Sequence, residues 1–78
     1  MLCCTHGEFR GQEQKTGKTG NNYYILYFEE LETGKAFNMM SADPVEAKRG
    51  QSYRIYFNLT IASTYTRVKV TKLEEMVQ

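Results

Sequence analysis

The sequence has too few cysteines and histidines for a disulfide framework or a metal centre. Its 78 residues include two cysteines, the neighbours Cys3 and Cys4, and one histidine, His6. Two adjacent cysteines do not cross-link distant parts of a fold, so we expect free thiols and a reducing compartment. A metal site on these three residues would still need a further ligand. We therefore predict no metal and no cofactor.

Long hydrophobic runs are also absent. No apolar run approaches the ~18 residues that a membrane span requires. The N-terminus lacks the pattern of a signal peptide. Together with the expected free thiols, these absences predict a cytoplasmic protein with no membrane partner.

A complete catalytic motif is the third absence. Gly17-Lys18-Thr19 matches the end of a phosphate-binding loop, but that loop requires a glycine where this chain has Gln12. The residues that follow predict a strand, whereas a phosphate loop precedes a helix. His6 has no evident orienting partner for acid–base catalysis. We therefore predict that the protein is not an enzyme and has no catalytic residues.

Aromatic residues are abundant and lie in short runs. The chain is 41% hydrophobic and contains six tyrosines and four phenylalanines, which suits one folded domain spanning residues 1–78. Glycine, asparagine and proline separate the runs, and this punctuation favours strands. The glycines inside the first run suggest bulges. We expect five strands, at about 2–14, 22–30, 35–41, 51–59 and 64–73.

Residues 43–50 carry the signals of a short helix between the third and fourth strands. Asp43 suits the N-cap, Pro44 the first helical position and Gly50 the position after the end, while Glu46 follows the cap by three residues. The predicted fold is therefore all-β, a small five-stranded antiparallel Greek-key barrel of the OB-fold type with one short helix. An SH3-like barrel is the alternative.

Positive charge is concentrated in one part of a nearly neutral chain. The net charge is +1, yet residues 48–73 contain six lysines and arginines and no acid. Strands four and five alternate, so their basic residues and several tyrosines are expected on the outside. Cations neutralise phosphates and tyrosines stack on unpaired bases, a combination typical of proteins that bind single-stranded nucleic acid. The predicted binding residues are Arg10, Lys15, Lys18, Tyr23, Tyr27, Arg54, Tyr56, Tyr65, Arg67 and Lys69.

The stretch Lys15-Thr16-Gly17-Lys18-Thr19-Gly20-Asn21-Asn22-Tyr23-Tyr24 is a basic, glycine-containing hairpin followed by a tyrosine-rich strand. In this stretch, and in the order of elements over residues 8–74, the chain resembles the helix-destabilising single-stranded-DNA-binding proteins of filamentous phages and related mobile elements. The resemblance implies an OB-like barrel, with Lys15 and Lys18 in a DNA-binding wing and Tyr23 stacking on a base. It favours DNA over RNA as the partner.

That family has a long hairpin between its last two strands that builds a dimer, whereas residues 60–64 form a short connection here. A homodimer would then need another contact, such as an exposed Ile61. The alternative function is a protein–protein interaction module, in which the aromatic and basic surface binds a protein partner. The acidic residues Glu29, Glu30 and Glu32, clustered near one turn, fit that alternative better.

Overall fold

In the computed structural model, which describes residues 1–76, every predicted strand is present. The strands are β1 (Leu2–Thr16), β2 (Asn22–Glu29), β3 (Ala36–Ser41), β4 (Ser52–Ile61) and β5 (Thr66–Glu75). They form a closed barrel in the order β1-β2-β3-β5-β4. The prediction of an all-β five-stranded barrel is therefore confirmed. No helix among the described residues is long and apolar enough to cross a membrane.

β1 is long because its two halves pair with different strands. Leu2 to Glu8 pair with β4, and Glu8 to Thr16 pair with β2. The register shifts between Phe9 and Gly11, and Gly11 has a φ of 149°, so a predicted bulge lies here. Gly7 pairs with Tyr53 without a register shift, so the expectation of a bulge at Gly7 is wrong. The bend at Gly11 lets the first half of β1 close the barrel while the second half forms a hairpin with β2.

The expectation of antiparallel pairing throughout is wrong at one seam. β3 and β5 run parallel, and Met40↔Lys69 is the pair that joins them within residues 1–76. The reason is one of parity: a closed ring of five strands cannot alternate in direction at every junction. The four other junctions are antiparallel, so the junction of β3 with β5 is the parallel one that a ring of five strands requires.

The core lies inside the barrel, and half of its six buried hydrophobic side chains are aromatic. Phe9 packs edge-on against Phe28, with ring centroids 5.7 Å apart, and Leu26 and Ile55 are fully buried. Burying side chains of this size contributes about 1.5–3 kcal/mol each. The predicted alternation in β4 is confirmed at Tyr53 and Ile55, which are buried.

The predicted helix over residues 43–50 is wrong. The segment between β3 and β4 bends at Ala42 and Asp43, has no helical turn over residues 44–48 and ends in a turn at Arg49 and Gly50. Val45 and Ala47 pack against the core at the two-residue spacing of an extended chain, which a helix would place on different faces. The capping signals are real, but the segment is too short for local propensity to outweigh these tertiary contacts.

Side chains from the barrel also occupy the backbone groups that a helix would need. The amide of Gln12 donates to the carbonyl of Val45 at 2.9 Å and accepts from the Val45 N–H at 3.1 Å. The N–H of Lys48 donates to the hydroxyl of Tyr53 at 2.8 Å. These bonds fix the segment against β1 and β4 without a helix.

Replacing Gln12 tests this account of the extended segment. We expect Gln12→Ala to lower the free energy of unfolding by about 1–2 kcal/mol, because two hydrogen bonds to Val45 are lost. Urea unfolding followed by circular dichroism measures the change. Gln14→Ala is the matched control, because Gln14 lies two residues along the same face of β1. Equal losses in the two variants would contradict the role of the Gln12 amide.

Candidate nucleic-acid interface

One outer face of the barrel collects aromatic, apolar and charged side chains from β1, β2 and β3. Lys15 lies opposite Tyr23, and Gly11 lies opposite Tyr27. Cross-strand partners point to the same side of a sheet. Leu26 and Phe28, at the alternate positions of β2, point inward. We call this the tyrosine face. It consists of Gly11, Glu13, Lys15, Tyr23, Ile25, Tyr27, Asn38 and Met40.

The tyrosine face continues across the seam onto β5. Met40 pairs with Ile25 on one side and with Lys69 on the other. Further towards the start of β5, the guanidinium carbon of Arg67 lies 5.6 Å from the ring centroid of Tyr65, within the range of a cation–π contact. Tyr65 is 53% exposed. The structure thus extends the face with two cations and a third tyrosine.

Lys18 lies in the loop that joins β1 to β2. The loop is closed by hydrogen bonds from the N–H of Gly17 to the carbonyl of Asn21, at 2.9 Å, and from the N–H of Gly20 to the carbonyl of Gly17, at 3.0 Å. Gly20 has a φ of 84°, which favours glycine. Lys18 is exposed and makes no ion pair within residues 1–76. Its charge is therefore available at one end of the tyrosine face.

A carboxylate lies on the β1 side of the tyrosine face, beside Ile25. The Lys15 ammonium lies 2.5 Å from one oxygen of Glu13, and the Tyr27 hydroxyl donates to the other at 3.5 Å. Hydrogen bonding and Coulombic attraction from Lys15 lower the pKa of Glu13, and the same contacts raise the pKa of Lys15. The attraction is complete at neutral pH and is lost as pH falls through the lowered pKa of Glu13.

Arg10 lies near the tyrosine face, but its charge is already balanced. Its guanidinium contacts Glu8 at 2.7 Å and Glu29 at 3.8 Å. The hydrogen bond to Glu8, followed by the attraction of Glu29, raises the pKa of Arg10. Arg10 and Tyr27 line a shallow depression of about 220 Å³. A phosphate at this point would have to compete with two carboxylates.

Arg54 and Tyr56 lie on a different face. They project from β4, which is flanked by β1 and β5 and touches neither β2 nor β3 in the barrel order. The Lys72 ammonium lies 5.7 Å from the ring centroid of Tyr56. Arg54 pairs in register with Glu74 on β5. The Tyr56 hydroxyl makes the largest contribution to a raised pKa of Arg54. The structure does not bring this pair together with Tyr23 and Tyr27.

A groove of about 540 Å³ runs between the extended segment and β5. Asp43 and Glu46 line one side, and Lys69 and Lys72 line the other. Leu73 also lines the groove. Lys69 therefore stands at the boundary between this groove and the tyrosine face.

The cysteines do not form a metal centre with His6 in this arrangement. Cys3 and Cys4 are neighbours on β1 and so project to opposite sides of the sheet. Residues 1–76 contain no group of three histidine, cysteine or acidic side chains that could hold a metal ion. Both thiols are free.

Sequence reasoning missed Gly11, Glu13 and the apolar centre of the face at Ile25 and Met40. The signal for Glu13 was available, because it precedes Lys15 by two residues and so shares its face of β1. Met40 could not be placed without the register of β3 against β2.

Comparisons with protein-family models, curated proteins and solved structures gave no match for this chain. The resemblance to phage single-stranded-DNA-binding proteins therefore stays a prediction.

The contact between Glu13 and Lys15 has a direct spectroscopic test. Titration of the Glu13 carboxyl carbon by NMR should give a midpoint below the usual Glu value, and Lys15→Met should raise it towards that value. Lys18→Met is the control, since Lys18 lies on the same hairpin and does not contact Glu13. A Glu13 midpoint that is the same in both variants as in the unaltered protein would show that Glu13 and Lys15 do not pair in solution.

Proposed function

We propose that this protein binds single-stranded nucleic acid with little dependence on overall sequence, with DNA preferred to RNA. We further propose a cytoplasmic role in a phage or other mobile element. The observation that carries the proposal is the tyrosine face: two tyrosines on β2, with Lys18, which makes no ion pair within residues 1–76, beyond one end and Lys69 across the seam. These are the groups that stack on bases and neutralise phosphates.

The strand order supports an OB-fold, with the Greek-key connections of that barrel. The β2–β3 face of an OB-fold, together with its β1–β2 and β4–β5 loops, is where oligonucleotides bind. Here those positions are filled by the tyrosine face, by the loop that carries Lys18 and by the turn that ends at Tyr65. The parallel contact between β3 and β5 lies beside this face.

The spacing of the face suits an extended strand. Tyr23 and Tyr27 are four residues apart on β2, which corresponds to about 13 Å. Ile25 lies between them, so that an apolar contact separates the two rings. A base over each ring, with Ile25 and Met40 beneath an intervening nucleotide, gives contacts that every base can make. We assign the face to binding and propose no catalytic step.

Replacement of the tyrosines tests the stacking surface. Fluorescence anisotropy with a labelled oligo(dT) of about 20 nucleotides should show tight binding, and Tyr23→Ala or Tyr27→Ala should weaken it by about five- to a hundredfold. Tyr56→Ala is the matched control, because Tyr56 is a tyrosine on the outer surface of β4, away from the tyrosine face. Duplex DNA should bind more weakly than the single strand, and oligo(U) compares RNA with DNA.

If Tyr56→Ala lost binding and Tyr23→Ala kept it, the binding surface would lie on β4 instead. Absence of binding by the unaltered protein at low salt would refute the proposal. The tyrosine face would then be tested as a contact for a protein partner by nuclease-treated pull-down.

Salt dependence tests the phosphate contacts. Lys18→Ala and Lys69→Ala should each weaken binding and reduce the slope of log affinity against log salt by about 0.7. Arg54→Ala, which removes a cation from the β4 face, should leave the slope unchanged. A slope that falls equally in all three variants would contradict a localised phosphate track and indicate a general effect of net charge.

A further inference from the structure

Glu13 is the residue of the tyrosine face that phosphate binding does not explain. Its side chain is 51% exposed and lies opposite Ile25, between Tyr23 and Tyr27 along the hairpin. A carboxylate repels phosphate, so here it weakens backbone contacts unless it binds a different part of the nucleotide. Within a DNA strand, the groups that a carboxylate can accept from are the amines and ring N–H groups of the bases, and RNA adds the 2′-hydroxyl.

Glu13 and Lys15 form a pair of opposite charges. One carboxylate oxygen lies 2.5 Å from the Lys15 ammonium, and the other lies 3.5 Å from the Tyr27 hydroxyl. An ionised carboxylate has about four lone-pair sites, and an ammonium has three donors. Both groups therefore retain hydrogen-bonding capacity towards solvent while they contact each other. Together they present acceptors and a donor side by side.

Guanine is the base whose free edge matches this pair best. Its Watson–Crick edge carries two adjacent donors, N1–H and the 2-amino group, followed by the acceptor O6. A carboxylate accepts from both donors, and a neighbouring ammonium donates to O6. Thymine and uracil present one N–H between two carbonyls, and adenine and cytosine present one amine each. Single strands leave this edge unpaired and open to side chains.

Space for the base ring lies beside Tyr27. Gly11 is its cross-strand partner, and no atom lies within 4 Å of the position that a Cβ on Gly11 would occupy. Gly11 itself therefore places no side chain over Tyr27, which is 37% exposed. A base stacked on Tyr27 can direct its edge towards Glu13, because the Tyr27 hydroxyl already reaches that carboxylate.

We propose that Glu13 and Lys15 select guanine at one position of the single strand bound on the tyrosine face. This inference rests on the proposed function and names the base that the same site prefers. Stacking and phosphate contacts give affinity for any sequence, and Glu13 adds preference for guanine by accepting from its two donors. The same carboxylate lowers affinity for strands that lack amines.

The test compares three labelled single strands of about 20 nucleotides by fluorescence anisotropy. The first is oligo(dT). The second carries isolated guanines among thymines, so that quadruplexes do not form. The third carries hypoxanthine at the guanine positions and so lacks the 2-amino group. The unaltered protein should bind the guanine strand about five- to tenfold more tightly than oligo(dT), and the hypoxanthine strand should lose most of that preference.

Glu13→Gln should abolish the preference for guanine and bind oligo(dT) more tightly, because a repulsive charge is removed. Glu32→Gln is the matched control for charge, since Glu32 lies in the turn between β2 and β3 and off the tyrosine face. It should keep the preference.

Equal affinities of the unaltered protein for the guanine strand and oligo(dT) would overturn this inference and leave the proposed function standing. A preference that survives Glu13→Gln would also overturn it. Failure of the unaltered protein to bind any of the three strands would overturn the proposed function itself and this inference with it.

Discussion

β1 is paired along both of its edges in turn, and the two pairings meet at Glu8. Immediately after that point Phe9 is buried, and its backbone bonds to the turn before β4: its N–H donates to the carbonyl of Gln51 at 2.9 Å, and its carbonyl accepts from Gly50 at 2.8 Å. Phe9 thus ties three parts of the chain together where β1 changes partners. This stretch bonds β1 to the turn before β4, and the part of β1 that follows it forms the hairpin with β2.

The hairpin separates the surface that we propose for binding from the part of the barrel that gives stability. Inward positions of β2, such as Leu26 and Phe28, are buried, while the alternate positions carry tyrosines. β2 therefore supplies both core residues and a contact surface, so residues on its outer face can be substituted without changing those in the core. The acidic and basic groups on the outer face are paired with each other in part, so the local charge pattern matters more than the net charge of +1.

Much of the fold could be predicted because short alternating runs mark strands directly, as Tyr53 and Ile55 did for β4. The helix could not be excluded, because its signals are local and the Gln12 contacts that override them come from 33 residues away. The same limit applied to the site. Alternation put Tyr23, Tyr27, Arg54 and Tyr56 outside, but only the strand order shows that β2 and β4 occupy different sides of the barrel.

The single pair between Met40 and Lys69 has a mechanical consequence. Four junctions of the ring have six or more paired positions, and this one has a single pair among the described residues. A barrel with such a seam can unroll there into a curved sheet whose remaining four junctions stay intact. β3 and β5 would then be its two edges, and exposed edges recruit strands from other chains. The charge of Lys69, at one of these edges, would oppose such pairing.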